Sequence, residues 1–247
     1  MSKALDRAAH HIARRVAARR SAPALHPHGV LCTGTLDVPG SGERRWSVDW
    51  LDRPATYDVT VRWSRALGLP GRLPDGLGLA LRVLDADGSG TPLDLLLTSS
   101  AGGRLGRHLP LPRWDALSGP YSTLVAYRVG GRDRVLAAFP HRPARPVGPG
   151  LPALRGALAH GSLRFDLRAA VGGSWRTFAT LTLGPAHPLP PDSTPSYDPY
   201  LHTLPDLHPT GWLSALRPAA YSGSRAGRGA EEPDAAGVSV RPPSGTR

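Results

Sequence analysis

Tyr57, Val59, Val61 and Trp63 alternate with Asp58, Thr60, Arg62 and Ser64. An extended chain puts successive side chains on opposite faces, so this octet has one apolar face and one polar face. Such a strand must bury its apolar side against other strands. Seven more stretches have strand character: Val30–Val38, Gly78–Asp85, Leu93–Ser99, Tyr121–Val129, Arg134–Phe139, Ser162–Ala170 and Ser174–Leu183. Gly, Pro, Asp and Ser separate them. Short Gly-containing connections, 130–133 and 171–173, point to antiparallel hairpins. Eight strands with no helices between them predict a closed barrel or a sandwich.

The flanks read differently. Leu5, Ala8, Ala9, Ile12 and Val16 recur at helical spacing after Ser2, a candidate N-cap, with Arg and His on the other face. An amphipathic basic helix is expected over residues 1–22, either packed on its own domain or making peripheral membrane contact. Pro140, Pro143, Pro146, Pro149 and Pro152 recur every third residue, the polyproline II period, and read as an exposed linker or a ligand for a PxxP-reading partner. A second Pro-rich stretch, 185–209, leads into an apolar segment at 212–216. The folded body is expected to span 23–228, with a disordered tail over 229–247.

Charge raises one suspicion and its distribution weakens it. The chain of 247 residues carries a net +11, a balance that suggests nucleic acid or a membrane surface as partner. Six basic residues stand against Asp6 within the first twenty, a net +5 in a segment that a core need not contain. Lysine occurs once, and asparagine and glutamine not at all; a bias toward GC-rich codons accounts for much of the arginine. With no aromatic stacking motif and no recognition helix, nucleic-acid binding is disfavoured. Cys32 is the only cysteine, which excludes disulfide pairing within the chain and a Cys-cluster metal site, and it fits a reducing cytoplasm. No run approaches the ~20 apolar residues of a membrane span, and the N-terminus lacks the apolar core of a secretory signal. Phosphate-loop, dinucleotide, nucleophile-elbow and zinc-helix motifs are absent.

What remains is a distributed pattern: His26-Pro-His-Gly-Val-Leu-Cys-Thr-Gly34, Val61-Arg62-Trp63-Ser64, Asp75-Gly-Leu-Gly78-Leu-Ala80-Leu-Arg82, Leu93-Asp94-Leu95, Asp198-Pro199 and Arg217-Pro-Ala-Ala-Tyr221. In that order the segments resemble the haem-dependent catalase family, in its small, catalase-related peroxidase branch. The resemblance spans about residues 23–228 and is poor over 100–160. It implies an α+β, catalase-like fold on an antiparallel barrel of about eight strands, with an N-terminal helix and a short C-terminal helical segment. It also implies haem b as cofactor.

The resemblance assigns roles residue by residue. Tyr221 matches the iron ligand, which binds as a phenolate. A free phenol has a pKa of about 10, so ionisation at neutral pH asks for roughly 3 units, about 4 kcal/mol. Iron supplies most of this, and Arg217, one helical turn earlier, adds a fixed positive charge. His26 matches the distal acid/base that moves a proton between the two peroxide oxygens, with His28 its nearest competitor. Ser64 matches the residue that fixes the histidine ring, and Arg62 and Arg228 match partners of the haem propionates.

The departures matter too. The family's distal asparagine has no counterpart, and the length leaves no room for the wrapping segments of large catalases. The expected activity is therefore that of a peroxidase or weak catalase on hydrogen peroxide or organic hydroperoxides, with an unidentified electron donor. The alternative is a catalase-fold protein that has lost haem and serves as a small-molecule-binding or interaction module.

Overall fold

The computed structural model describes residues 28–66, 73–141, 146–187 and 195–210. The expected N-terminal helix, the helical segment after 211 and the tail lie outside these residues. In chain order the strands are β1 (His28–Val38), β2 (Ala55–Arg65), β3 (Leu77–Val83), β4 (Leu93–Ser99), β5 (Tyr121–Ser122), β6 (Tyr127–Val129), β7 (Arg132–Arg134), β8 (Leu136–Pro140), β9 (Leu163–Val171), β10 (Ser174–His187) and β11 (Leu207–Pro209). Two helices, α1 (Asp49–Asp52) and α2 (Leu151–Ala159), and a 3₁₀ turn at Gly106–His108 complete the described elements.

Eight strands close into an antiparallel barrel in the order β1-β10-β9-β8-β5-β4-β3-β2, and β11-β6-β7 form a small separate sheet. Of barrel and sandwich, the barrel is realised. Its interior is filled by the inward set of each strand: Val59, Val61 and Trp63 of β2, Leu79 and Leu81 of β3, Phe165 and Leu167 of β9. At the centre Trp63, Tyr121 and Phe165 meet edge to face, with ring centroids 6.0–6.3 Å apart. Trp63 Nε1 donates to Tyr121 Oη at 3.1 Å, and Tyr121 Oη donates to Ala116 O at 2.6 Å, so both buried polar tips are satisfied. Eight strands enclose a lumen just wide enough for side chains to fill, and here they fill it.

Two expectations need correction. The stretches 121–129 and 134–139 are not single strands. Leu124 adopts a left-handed φ of 59°, which breaks the first into barrel strand β5 and outlying strand β6, and the second divides likewise into β7 and β8. The other is the helix α2 between β8 and β9, where no helix was expected. Pro152 stands in its first turn, where the missing N–H costs nothing, and Leu154 and Leu158 bury one face against β1 and β10. The hairpin at 171–173 forms as expected, with Gly172 and Gly173 at φ values of 64° and 130° that suit glycine. No helix among the described residues is long and apolar enough to cross a membrane.

Candidate functional site

The polar alternates of β1–β4 face outward, and strand register arranges them in rows. Gly29, Ser64, Gly78 and Thr98 stand side by side; next come Leu31, Arg62, Ala80 and Leu96, then Thr33, Thr60, Arg82 and Asp94. Four strands at ordinary spacing make this wall roughly 14 Å across. The first two rows hold small or apolar residues around a single cation, Arg62. These two rows, here termed the shelf, include the buried Ser64 and Gly78.

The glycines have identifiable work here. A Cβ on Gly29 would lie 3.0 Å from the Arg62 guanidinium carbon and from Trp63 O, so glycine at this position lets Arg62 lie across β1. Gly34 sits at the register shift of β1 against β10, where a Cβ would run into Thr182 O. Gly78 accepts a hydrogen bond from Ser64 Oγ at 3.4 Å, and Ser64 is almost fully buried.

The third row is locked. Asp94 accepts from Arg82 Nε and Nη2, both at 2.7 Å, and from the backbone N–H of Asp198 at 2.7 Å. His202 Nδ1 lies 2.8 Å from Asp94 Oδ2 and 3.0 Å from Arg82 Nη2. According to its tautomer, Nδ1 donates to the carboxylate or accepts from the guanidinium. Burial alone would lower Arg82's basicity; the hydrogen bond and charge of Asp94, with Tyr197 and Asp198, outweigh it and hold Arg82 above its ordinary pKa. Arg82 also donates to Ser196 O at 2.9 Å and lies 5.1 Å from the Tyr197 ring centroid. Burial pushes the Tyr197 phenol well up, against the opposing pull of Arg82, so Tyr197 is neutral, and its hydroxyl donates to Thr60 O at 3.5 Å. Asp198 caps the turn that follows by accepting from the N–H groups of Tyr200 and Leu201. This clasp straps residues 196–202 over the third row.

Arg62 and Ser64 are thus brought together on one outward face, as the period of two requires. His26, Arg217, Tyr221 and Arg228 lie outside the described residues, and His28 is fixed only as the backbone partner of Arg65 at the start of β1. Among the described residues no group of three His, Cys, Asp or Glu side chains could hold a metal ion. Sequence reasoning missed the clasp. Arg82, Asp94 and Asp198 each stand in a motif quoted above, yet His202 stands in none, and nothing local joins positions 82, 94 and 202.

Among solved structures the chain is similar to a fungal catalase, with a TM-score of 0.59 and 12% identity over 83% of this chain and 58% of that one. The fold is catalase-like. A bacterial catalase gives a TM-score of 0.58 and 10% identity over 83% of this chain and 56% of its own. The chain therefore spans a little over half the length of these catalases. No family model matches, and no curated protein matches either. Within the catalase-like barrel, the shelf on β1–β4 is where the motif residues Arg62 and Ser64 meet.

Proposed function

We propose that the protein binds haem b against the outer face of β1–β4 and reduces hydrogen peroxide or organic hydroperoxides as a peroxidase or weak catalase. One observation carries the reading: in a catalase-like fold, Arg62 and Ser64 converge on a shelf whose other members are small or apolar. The described residues fit the group in part: Gly29, Gly78 and Ala80 are small, and the Arg62 guanidinium would meet a carboxylate. When bound, haem would supply the iron at which the O–O bond is reduced by two electrons and two protons from an organic donor, giving an alcohol and water from a hydroperoxide or two waters from hydrogen peroxide.

The chain's own residues bind and steer. Arg62 and Arg228 neutralise the propionates; Tyr221 ligates the iron as a phenolate, and Arg217 favours its ionisation. His26 takes the proton from one peroxide oxygen and delivers it to the departing one, with its ring fixed by Ser64. A cytoplasmic setting fits the lone thiol and provides soluble reductants.

The test uses the full chain with haem supplied. Stoichiometric binding with a Soret band is expected, and Tyr221→Phe should remove or shift that band. Arg62→Ala should weaken haem binding roughly tenfold, as loss of a charge-assisted pair does. A Soret band unchanged in Tyr221→Phe removes Tyr221 as the ligand, and absence of stoichiometric haem overturns the reading. The second reading, a haem-free interaction module, would then stand. It is favoured by the clasp, which already covers a third of the wall with the chain's own residues 196–202, and by the lack of any asparagine.

A further inference from the structure

Residues 101–114 run beside the ends of β4, β5 and β10 and present four large apolar side chains to solvent. Leu105, Leu109, Leu111 and Trp114 are 83%, 63%, 46% and 64% exposed, and among the described residues only Leu73 and Leu201 are comparable. Scattered exposed leucines are ordinary; four in ten residues mark an interaction surface. The segment is not a loose loop. Leu111 N–H donates to Ser99 O at 2.7 Å, Ser122 Oγ donates to Arg107 O at 2.6 Å, and Trp175 Nε1 donates to Gly102 O at 2.8 Å. Buried Arg113 donates to the carbonyls of Ser100, Gly119 and Pro120. The apolar side chains therefore stand on a rigid base, and Leu109 and Leu111 share one side of an extended stretch.

Charge decides what faces them. Residues 101–114 contain no Asp or Glu, while Arg104, Arg107 and His108 sit among the leucines. A second copy meeting the same patch across a two-fold axis would bring these cations together. An anionic lipid surface meets both demands: leucine and tryptophan enter the headgroup boundary while the guanidinium groups attract the phosphates. We propose that residues 104–114 attach the protein peripherally to anionic membranes. This inference does not depend on haem binding.

The full chain is mixed with phosphatidylcholine vesicles with and without phosphatidylglycerol, and flotation measures the bound fraction. Binding to the anionic vesicles is expected. Leu105→Ser/Leu109→Ser should lower the partition coefficient roughly tenfold or more, and Arg104→Ala/Arg107→Ala roughly tenfold. Arg104, Leu105 and Leu109 are exposed and Arg107 is half-buried over the Trp175 ring. The leucine variant should therefore keep the wild-type melting temperature and the arginine variant should stay within a few degrees of it, which confirms that both are folded. No flotation of the wild type overturns the proposal. Wild-type flotation of the leucine variant overturns it as well, and moves attachment to the basic N-terminal stretch. Equal binding to neutral vesicles removes the anionic requirement. A dimer that the leucine variant converts to monomer, with no vesicle binding, reassigns the patch to contact between copies.

Discussion

Gly34 lies where β1 slips register against β10, with no space for even one methyl group. Gly34→Ala must push the two strands apart at the seam that closes the barrel. Overpacking of this kind costs roughly 1–3 kcal/mol, and chemical denaturation should show a lowered midpoint with little change in slope. Gly42, whose Cβ would meet nothing within 4 Å, is no match for it in packing, although its φ of 56° adds strain of its own to any substitution there.

Two residues along β1 from Gly34, Cys32 is fully buried, and burial pushes its thiol from 9.0 up to about 12. The sign of the linkage follows. Between pH 9 and 12 the unfolded chain loses this proton while the folded chain keeps it, so the unfolded state binds fewer protons and stability falls as pH rises. Below pH 9 the contribution is fully present. Denaturation midpoints measured across pH 8–11 should decline for the wild type and decline less steeply for Cys32→Ala. The same burial keeps the thiol unreactive, and its labelling by an alkylating reagent should track global unfolding.

Among the elements, β1–β4 and the β9–β10 hairpin were legible because alternation and glycine turns are local signals. The small sheet was not, since β6, β7 and β11 are each three residues long and β11 pairs with β6 across about 80 residues of chain. Helix α2 was hidden for another reason. Its buried face is only Leu154 and Leu158 in an Ala- and Gly-rich run, and its leading proline continued the triplet period of the preceding segment. Of the site, the face shared by Arg62 and Ser64 was legible from the period of two. The clasp that bounds the shelf was not, because it depends on side chains brought together by tertiary folding. Its energetics set an order that can be measured. Asp94→Ala removes the carboxylate that Arg82 and the Asp198 N–H share, leaving Arg82 only the Ser196 carbonyl and the His202 ring nearby, a loss of about 3 kcal/mol. His202→Ala leaves the Arg82–Asp94 pair intact and should cost roughly 1 kcal/mol. Urea unfolding of the two variants tests the ranking, and limited proteolysis within 195–210 should accelerate much more for Asp94→Ala.

For the molecule as a whole, the division of labour between lumen and outer wall determines where any ligand can bind. The lumen is a close-packed core centred on Trp63, Tyr121 and Phe165, and the shelf and the apolar segment both lie outside it. This arrangement can be tested by emptying the lumen. Phe165→Ala removes a ring that contacts both other aromatics and should cost roughly 3–5 kcal/mol. It leaves a dry cavity lined by apolar side chains, the kind that takes up benzene. Benzene should therefore raise the melting temperature of Phe165→Ala and leave that of the wild type unchanged, because a ligand stabilises only a state that has a place for it. A wild type stabilised by benzene to the same extent would mean that the lumen already has space, and the exterior shelf would lose its standing as the site for a flat apolar ligand.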